Sequence, residues 1–135
     1  MITAVDTNIL FDVFTADATF GAASRAALTR CLREGALIAC DAVWAEIAAG
    51  FRSEEPLNRD MEMLGVRYVP IDQPAAVSAG QAWRAYRDAG GTRRRILADF
   101  LIGGHALRHA DRLLTRDRGF YRRHFEALEI LDPSE

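Results

Sequence analysis

Two aspartates lie just past short apolar segments of the chain. Asp6 comes after residues 2–5 (ITAV), and Asp117 comes after the leucine pair at 113–114 and Thr115. Apolar runs of this length between polar residues are typical of buried strands in a parallel sheet. Ligands bind where such strands end, so both carboxylates are candidates for chemistry. The alternative is that each aspartate is only a turn residue.

Two further acidic residues lie in apolar segments with a helical pattern. Glu46 is the only charged residue between positions 42 and 51, and no face of that helix is polar. A carboxylate in such surroundings is paired, hydrogen-bonded or bound to a metal. Asp99 begins a stripe of small and apolar residues that we expect to face the sheet, with the glycine allowing close approach: Ile102, Gly103, Ala106 and Ala110. The alternatives are a salt bridge from Glu46 to an arginine, and a role for Asp99 at the positive end of its helix dipole.

Four carboxylates that converge at one edge of a sheet would require a cation. At about 5 Å and an effective dielectric constant near 20, each pair of charges costs roughly 3 kcal/mol. Carboxylate oxygens suit Mg²⁺ or Mn²⁺, and the sequence has no cluster of cysteine and histidine for zinc or copper. A metal held in this way, with open water positions, commonly serves phosphoryl chemistry.

The basic residues are all arginines, and they are concentrated in one segment. The chain has 17 basic residues and a formal net charge of -2. The absence of lysine excludes a Walker-type phosphate site and a Schiff-base enzyme. Residues 84–123 contain eleven arginines and four aspartates. We expect this segment to contact phosphates, and the alternative is a set of solvated helix faces. The candidates are the run Arg93, Arg94 and Arg95 and the cluster Arg116, Arg118, Arg122 and Arg123.

The length and the order of elements predict one α/β domain over residues 1–135. A chain of 135 residues with 50% hydrophobic and 27% charged residues has a globular composition. Strands are predicted at 2–5, 36–40, 66–71, 112–114 and 128–131. Helices are predicted at 9–14, 22–34, 42–51, 54–64, 74–88 and 97–110, with Asp41 and Ser53 as N-caps. Strands that alternate with helices indicate a three-layer α/β domain with a mostly parallel sheet.

The sequence carries no sign of export or of a membrane span. No apolar run approaches the roughly 20 residues of a membrane helix, and the first residues lack the basic start of a secretory signal. We expect Cys31 and Cys40 to be buried free thiols and the protein to be cytoplasmic.

Four motifs in this chain resemble a known family. They are VDTN at 5–8, WAEIAAG at 44–50, LADFLIGGHA at 97–106 and LLTRDRGFY at 113–121. In this order and spacing they resemble the PIN-domain family over nearly the whole chain. More narrowly, they are similar to the VapC-type ribonuclease toxins of type II toxin–antitoxin pairs. One such motif would be a weak signal, and four in register are a strong one.

This resemblance implies a three-layer α/β/α PIN-like domain with an acidic metal site. The acidic quartet would be Asp6, Glu46, Asp99 and Asp117, binding one or two Mg²⁺ or Mn²⁺ ions that activate a water for in-line attack on an RNA phosphodiester. Thr115 matches the family's hydroxyl residue ahead of the last acid, and Thr7 and Asn8 complete the first motif. The resemblance also implies a structured RNA substrate of the transfer or ribosomal RNA class. It further implies a small VapB-like antitoxin as partner, and a homodimer.

Other interpretations compete with this one. A haloacid-dehalogenase-like phosphatase also has an aspartate after its first strand, but it needs a second aspartate where this chain has Asn8, and a lysine. A non-catalytic PIN-like scaffold that binds RNA or protein is the other alternative, although such a scaffold would be marked by loss of an acid. His105, His109 and His124 suggest acid–base catalysis or a metal pair. No third ligand stands near, so we expect surface or packing histidines. Trp44, Trp83 and Phe100 are expected in the core or at an interface.

Overall fold

The computed structural model describes residues 1–92 and 97–134, and within them the chain forms five strands and seven helices. The strands are β1 (Ile2–Val5), β2 (Ala36–Ala39), β3 (Val66–Tyr68), β4 (Arg112–Leu114) and β5 (Glu129–Leu131). The helices are α1 (Thr7–Phe14), α2 (Gly21–Glu34), α3 (Asp41–Ala48), α4 (Glu54–Met63), α5 (Gln73–Asp88), α6 (Leu97–His109) and α7 (Arg118–His124).

The strands form one sheet in the order β3-β2-β1-β4-β5, and all neighbouring pairs are parallel. In the centre, Thr3 of β1 pairs with Leu37 of β2 on one side and with Arg112 of β4 on the other. Crossover connections between parallel strands are right-handed in nearly all proteins. The chain moves outward from β1 to β3 through α1–α4 and then reverses, so α5–α7 cover the opposite face. The predicted three-layer α/β architecture is confirmed, with a sheet that is fully rather than mostly parallel.

The reversal of direction creates a crevice at the carboxyl ends of β1 and β4. The chain leaves β1 toward β2 on one side, whereas β4 enters the sheet on the other side. In open α/β sheets, such a switch point is where ligands bind. Asp6 directly follows β1 and Thr115 directly follows β4, so both border this crevice.

The strand predictions are correct in number and differ slightly in length. β1 and β4 have the predicted bounds, and β2 and β5 are each one residue shorter. The strand predicted at 66–71 ends at Tyr68. Pro70 has no N–H to donate to a neighbouring strand, which explains the early end of β3.

The N-cap residues of α1, α3 and α4 can be compared with the predicted helix starts. α1 starts at Thr7, two residues earlier than predicted, because Asp6 Oδ1 accepts a hydrogen bond from the Thr7 backbone N at 2.7 Å. The prediction of Asp41 as an N-cap is wrong, since Cys40 occupies that position. Asp41 Oδ1 instead accepts from the Ile71 backbone N at 3.2 Å, and α3 ends three residues before position 51. Ser53 is the N-cap of α4 as predicted, without a side-chain bond.

No helix is predicted at 118–124, where the structure has α7. This segment (RGFYRRH) has only seven residues, which is less than two full turns. Three of them are arginines and one is a glycine. A helix of that length gives no periodic hydrophobic signal. Its position is set by the buried rings of Phe120 and Tyr121.

Two adjacent glycines on α6 allow different close contacts. A Cβ atom on Gly104 would lie 2.6 Å from the Ala75 carbonyl oxygen and 2.8 Å from the Ala79 backbone N, so this glycine lets α5 and α6 pack closely. At Gly103 the close approach is to the Phe125 ring after α7 rather than to a strand, because a Cβ there would overlap that ring. The glycine pair therefore lets α6 pack closely on α5 and on Phe125, the residue that follows α7.

Several smaller predictions about burial are confirmed. Cys31 and Cys40 are buried free thiols. Phe100 is fully buried in the core, and Trp44 and Trp83 are half-buried side chains that pack against that core.

In the described part of the chain, none of the helices has the length and apolar character of a membrane span.

Candidate functional site

Asp6 is the most buried acid of the quartet and lies at the end of β1. Its side chain is held by hydrogen bonds at both oxygens: Oδ1 accepts from the Thr7 backbone N at 2.7 Å, and Oδ2 accepts from Thr115 Oγ1 at 2.7 Å. Asn8 Nδ2 also donates to Oδ2 at 3.3 Å. These three bonds fix the direction of the carboxylate at the crevice between β1 and β4.

Thr115 links the first and the last acid of the quartet. Its hydroxyl, which is fully buried, donates to Asp6 and accepts a bond from the Asp117 backbone N at 3.0 Å. Asp117 is half-buried in the loop between β4 and α7. One hydroxyl therefore orients both Asp6 and the loop that carries Asp117.

Glu46 lies on α3 with its side chain half-buried. Thr7 Oγ1 donates a hydrogen bond to Glu46 Oε1 at 2.9 Å. Thr7 is the first residue of α1, so this bond ties α3 to the beginning of the helix that Asp6 caps. The alternative of a salt bridge from Glu46 to an arginine has no counterpart among the described residues.

Charge and burial together change the acidity of Asp6. Burial raises the pKa of this carboxyl from 3.8 to about 6, and the charges of Asp99 and Glu46 add to the rise. The hydrogen bonds from Thr115 and Thr7 act in the opposite direction but are outweighed. Asp99 and Glu46 are therefore close enough to Asp6 to oppose its ionisation. Asp99 itself is half-buried in the first turn of α6.

Tyr121 connects Asp117 to the same group of charges. Burial raises the pKa of its hydroxyl well above the usual value, and the carboxylates of Asp6, Asp99 and Asp117 add to this rise. The hydroxyl is buried and has no partner at hydrogen-bonding geometry among the described residues, although Asp6 lies beside it. Sequence reasoning did not select Tyr121, and the only signal was its place in the motif LLTRDRGFY. Asp6, Asp99 and Asp117 therefore all act on the Tyr121 hydroxyl.

The donor set fits a hydrated divalent cation. Among residues 1–92 and 97–134, no three side chains of Asp, Glu, His or Cys already stand in a closed arrangement around one point. Mg²⁺ does not require such a cage, because it keeps several waters and usually binds one or two carboxylates directly. A buried carboxyl with a raised pKa and two acids nearby, Asp99 and Glu46, gains most from a positive charge. The site therefore suits Mg²⁺ or Mn²⁺ rather than zinc.

Two arginines of the predicted phosphate-binding segment are bound within the fold. Arg116, expected to contact phosphate, makes a bidentate ion pair with Asp12 of α1, with distances of 2.7 and 2.9 Å. Arg112 is buried in β4 and bonds Thr3 Oγ1 at 2.9 Å. Sequence reasoning missed the Asp12 pair because the two residues lie far apart in the chain. Arg93, Arg94 and Arg95 lie outside the described residues.

Three arginines of the predicted cluster lie at the surface. Arg118 is 3.4 Å from Asp132, and Arg122 and Arg123 are exposed on α7. Arg123 and His124 border a cleft of about 480 Å³. The wall of this cleft is completed by residues of α5, of the turn after it and of α7: Tyr86, Ala89, Gly90, Gly91, Thr92, Gly119 and Phe120.

The histidines serve packing, as predicted. His105 is buried on α6, and burial lowers the pKa of its imidazole. The ring of His109 lies 5.2 Å from that of His105, and its Nε2 is 3.0 Å from Asp72 Oδ2. His124 packs against the rings of Tyr86 and Phe120 at 5.2 and 4.9 Å.

Comparison with known proteins places this fold in a family. A model of the PIN domain matches residues 3–126. No curated protein matches the chain in sequence. The structure is similar to that of VapBC2 from Rickettsia felis bound to a DNA fragment from its promoter, with a TM-score of 0.74, 16% identity and 98% of each chain covered.

Two further solved structures have the same fold. FitAcB from Neisseria gonorrhoeae has a TM-score of 0.73 and 21% identity, over 100% of this chain and 99% of that one. A toxin–antitoxin complex from Klebsiella pneumoniae has a TM-score of 0.68 and 19% identity, over 97% of each chain. Since the family model spans almost the whole sequence and includes all four acids, this chain belongs to the PIN-domain family.

Proposed function

We propose that this PIN-domain protein is an Mg²⁺- or Mn²⁺-dependent endoribonuclease. The observation that carries the proposal is Asp6, a buried carboxyl at the switch point of the sheet whose pKa is raised to about 6 beside other acids. Such a site favours a bound cation in place of an acidic proton, and a cation held by carboxylates can in turn bind a phosphate group. In this proposal, Asp6, Glu46, Asp99 and Asp117 hold the metal, and Thr115 orients Asp6.

The metal would supply a water of lowered pKa and charge stabilisation at the phosphate. The remaining work belongs to the side chains of the protein. Thr7 orients Glu46 through its 2.9 Å hydrogen bond, and Asn8 and Thr115 donate hydrogen bonds to Oδ2 of Asp6. Arginines on α7, with Arg123 foremost, would bind the RNA backbone beside the acids.

We further propose that the protein acts as the toxin of a toxin–antitoxin pair. The support is the fold that it shares with VapBC2, FitAcB and the toxin–antitoxin complex from Klebsiella pneumoniae. The expected partner is a small VapB-like antitoxin, and the expected state is a homodimer in the cytoplasm. The proposed substrate is a structured RNA of the transfer or ribosomal RNA class.

Cleavage of purified RNA with and without metal tests the catalytic proposal. We expect the protein to cut structured RNA in Mg²⁺ or Mn²⁺ and to stop in EDTA, and we expect Asp6→Asn to lose activity by orders of magnitude. Glu62→Gln, at an exposed carboxylate on α4, is the matched control and should cut normally. Full activity in EDTA would disprove the metal mechanism and leave histidine acid–base catalysis.

Two other outcomes would identify the competing functions. Hydrolysis of a small phosphomonoester without RNA cleavage would favour the haloacid-dehalogenase-like phosphatase. Asn8 speaks against that function, because it occupies the position of the second aspartate and donates to both Asp6 and Thr115. Binding of RNA without cleavage in any metal would favour a non-catalytic scaffold.

A further inference from the structure

We propose that Asp12 and Arg116 form a brace that positions the loop 115–117 of the active site. The inference rests on the proposed nuclease function, and it assigns a positioning role to two residues that do not touch the substrate. Arg116 Nε donates to Asp12 Oδ2 at 2.7 Å, and Arg116 Nη2 donates to Asp12 Oδ1 at 2.9 Å. Two parallel bonds of this kind fix the orientation of the guanidinium as well as its position.

The anchor of the brace is buried. The side chain of Asp12 is 4% exposed, on the inner face of α1. Ser24 of α2 donates a third hydrogen bond to Asp12 Oδ2 at 2.7 Å, so the carboxylate is bound from two sides. An ionised carboxylate persists at such a depth only when its oxygens are satisfied, and here the arginine supplies the compensating charge.

Arg116 is held along its whole length. Its guanidinium lies over the Phe20 ring at 4.0 Å, and its backbone N donates to Asn8 Oδ1 at 3.2 Å. Both ends of the residue are thus fixed by α1 or by the segment that follows it. Two of the five N–H donors of the guanidinium are thus engaged by Asp12.

The two neighbours of Arg116 are the residues that carry the chemistry. Thr115 donates to Asp6, and Asp117 is the last acid of the quartet. A loop fixed in the middle by Arg116 has little freedom to move either neighbour. Misplacement of reacting groups by about 1 Å costs on the order of a hundredfold in rate, so such a brace affects the chemical step.

A positioning role for Arg116 and a phosphate contact by Arg116 predict different effects of the same substitutions. If Arg116 bound RNA through its charge, Arg116→Lys would keep the affinity, and Asp12→Asn would strengthen binding by removing a negative charge. If the pair positions the loop, both changes should slow the chemical step. Lysine cannot make the bidentate contact, and a neutral asparagine holds the arginine weakly.

Single-turnover and steady-state cleavage of a structured RNA in Mg²⁺ tests the brace. For Arg116→Lys and Asp12→Asn, we expect kcat per folded molecule to fall roughly tenfold to a hundredfold, with KM changed by less than about twofold. Arg30→Lys is the control, because it alters an exposed ion pair with Glu34 on α2 and should cut like the unchanged protein. Ser24→Ala, which removes one bond to Asp12, should give a smaller fall in kcat.

Three results would overturn the brace. They are an unchanged kcat per folded molecule in both variants, a rise in KM alone for Arg116→Lys, or tighter RNA binding with unchanged kcat for Asp12→Asn. If the unchanged protein does not cut RNA at all, the nuclease proposal fails instead. Amide exchange at residues 115–117 then decides on the brace: faster exchange in Arg116→Lys supports it, and unchanged exchange contradicts it.

Discussion

Asp6 has two features that normally exclude each other. It accepts three hydrogen bonds, which favour the ionised form, and yet its pKa is raised to about 6. Burial is the larger effect, and the charges of Asp99 and Glu46 add to it. The metal-free site is therefore under electrostatic repulsion at neutral pH, and a bound cation would remove that repulsion.

The repulsion predicts opposite effects of Asp99→Asn on stability and on activity. Without metal, removing this charge should lower the pKa of Asp6 and leave the melting temperature equal or higher. Cleavage should fall by orders of magnitude, and the rise in melting temperature on adding Mg²⁺ should shrink. Melting curves of both proteins with and without Mg²⁺ measure this. A metal-free variant that is clearly less stable, with an unchanged response to Mg²⁺, would give Asp99 a structural role instead.

At the level of single residues, the sequence predicted the acids better than their supports. Asp6, Glu46 and Asp99 stood out because carboxylates are rare in apolar segments. Thr115 followed only from the family resemblance. The hydroxyl of Tyr121 and the Asp12–Arg116 pair could not be predicted, because each contact joins residues about a hundred positions apart whose types are common at surfaces.

At the level of elements, α6 carries an acid at one end and close packing in its middle. Asp99 lies in its first turn, and Gly104 touches the backbone of α5 one and a half turns later. The packing of α5 on α6 thus fixes the direction in which Asp99 approaches Asp6. The sequence predicted the helix and its small-residue stripe. It could not say which neighbour each glycine would meet, because that depends on how α5 and the chain after β4 pack against α6.

Gly104→Ala should destabilise the protein, whereas Gly80→Ala should not. The new methyl on α6 would meet the Ala75 carbonyl oxygen at 2.6 Å, and backbone cannot yield as a flexible side chain would. We expect a loss of about 1–3 kcal/mol in the free energy of unfolding. Gly80 lies on the exposed face of α5 with no atom within 4 Å, so alanine there should add up to about 1 kcal/mol of helix stability. Urea unfolding of both variants measures the difference, and equal effects would contradict the close approach of α5 and α6.

His105 predicts a pH dependence of stability on the same helix. Burial and the neighbouring His109 lower its pKa, while Asp41 and Asp72 oppose the shift only in part. Below the ordinary value of 6.5, the unfolded chain takes up a proton that the folded protein resists, so the free energy of unfolding falls as the pH decreases from about 7.5 to 5.5. His105→Gln should lack this contribution. Its difference from the unchanged protein in urea unfolding should be larger at the higher pH, and a constant difference would contradict the prediction.

At the level of the whole molecule, parallel topology explains why separate acids could be predicted to meet. The ends of parallel strands lie on one edge of a sheet, so Asp6 and Asp117 had to lie on the same edge if both preceding segments were strands. The strand order could not be deduced from the periodicity, since any order would bury the same apolar runs. It is the central position of β1, between β2 and β4, that places the crevice at Asp6.

The arginines that cluster in the sequence do not all form one exposed basic surface in the structure. Residues 84–123 hold eleven arginines, but Arg112 and Arg116 are bound within the fold and Arg108 donates to Ser78 at 2.8 Å. The sequence could locate this basic segment. It could not separate arginines that stabilise the fold from arginines that face solvent, because that division requires the partners.

Arg123 is the described arginine best placed to contact RNA, and its effect should depend on salt. It is exposed on α7, six residues after Asp117, and it borders the cleft between α5 and α7. Each phosphate contact releases condensed counterions, so Arg123→Gln should weaken RNA binding and lower the slope of log affinity against log salt by roughly 1. Arg67→Gln removes the same charge from β3 at the far edge of the sheet and serves as the control. Titrations of an inactive Asp6→Asn protein at several salt concentrations measure both slopes. If the two variants change the slope equally, Arg123 acts only through net charge, and the RNA does not follow α7.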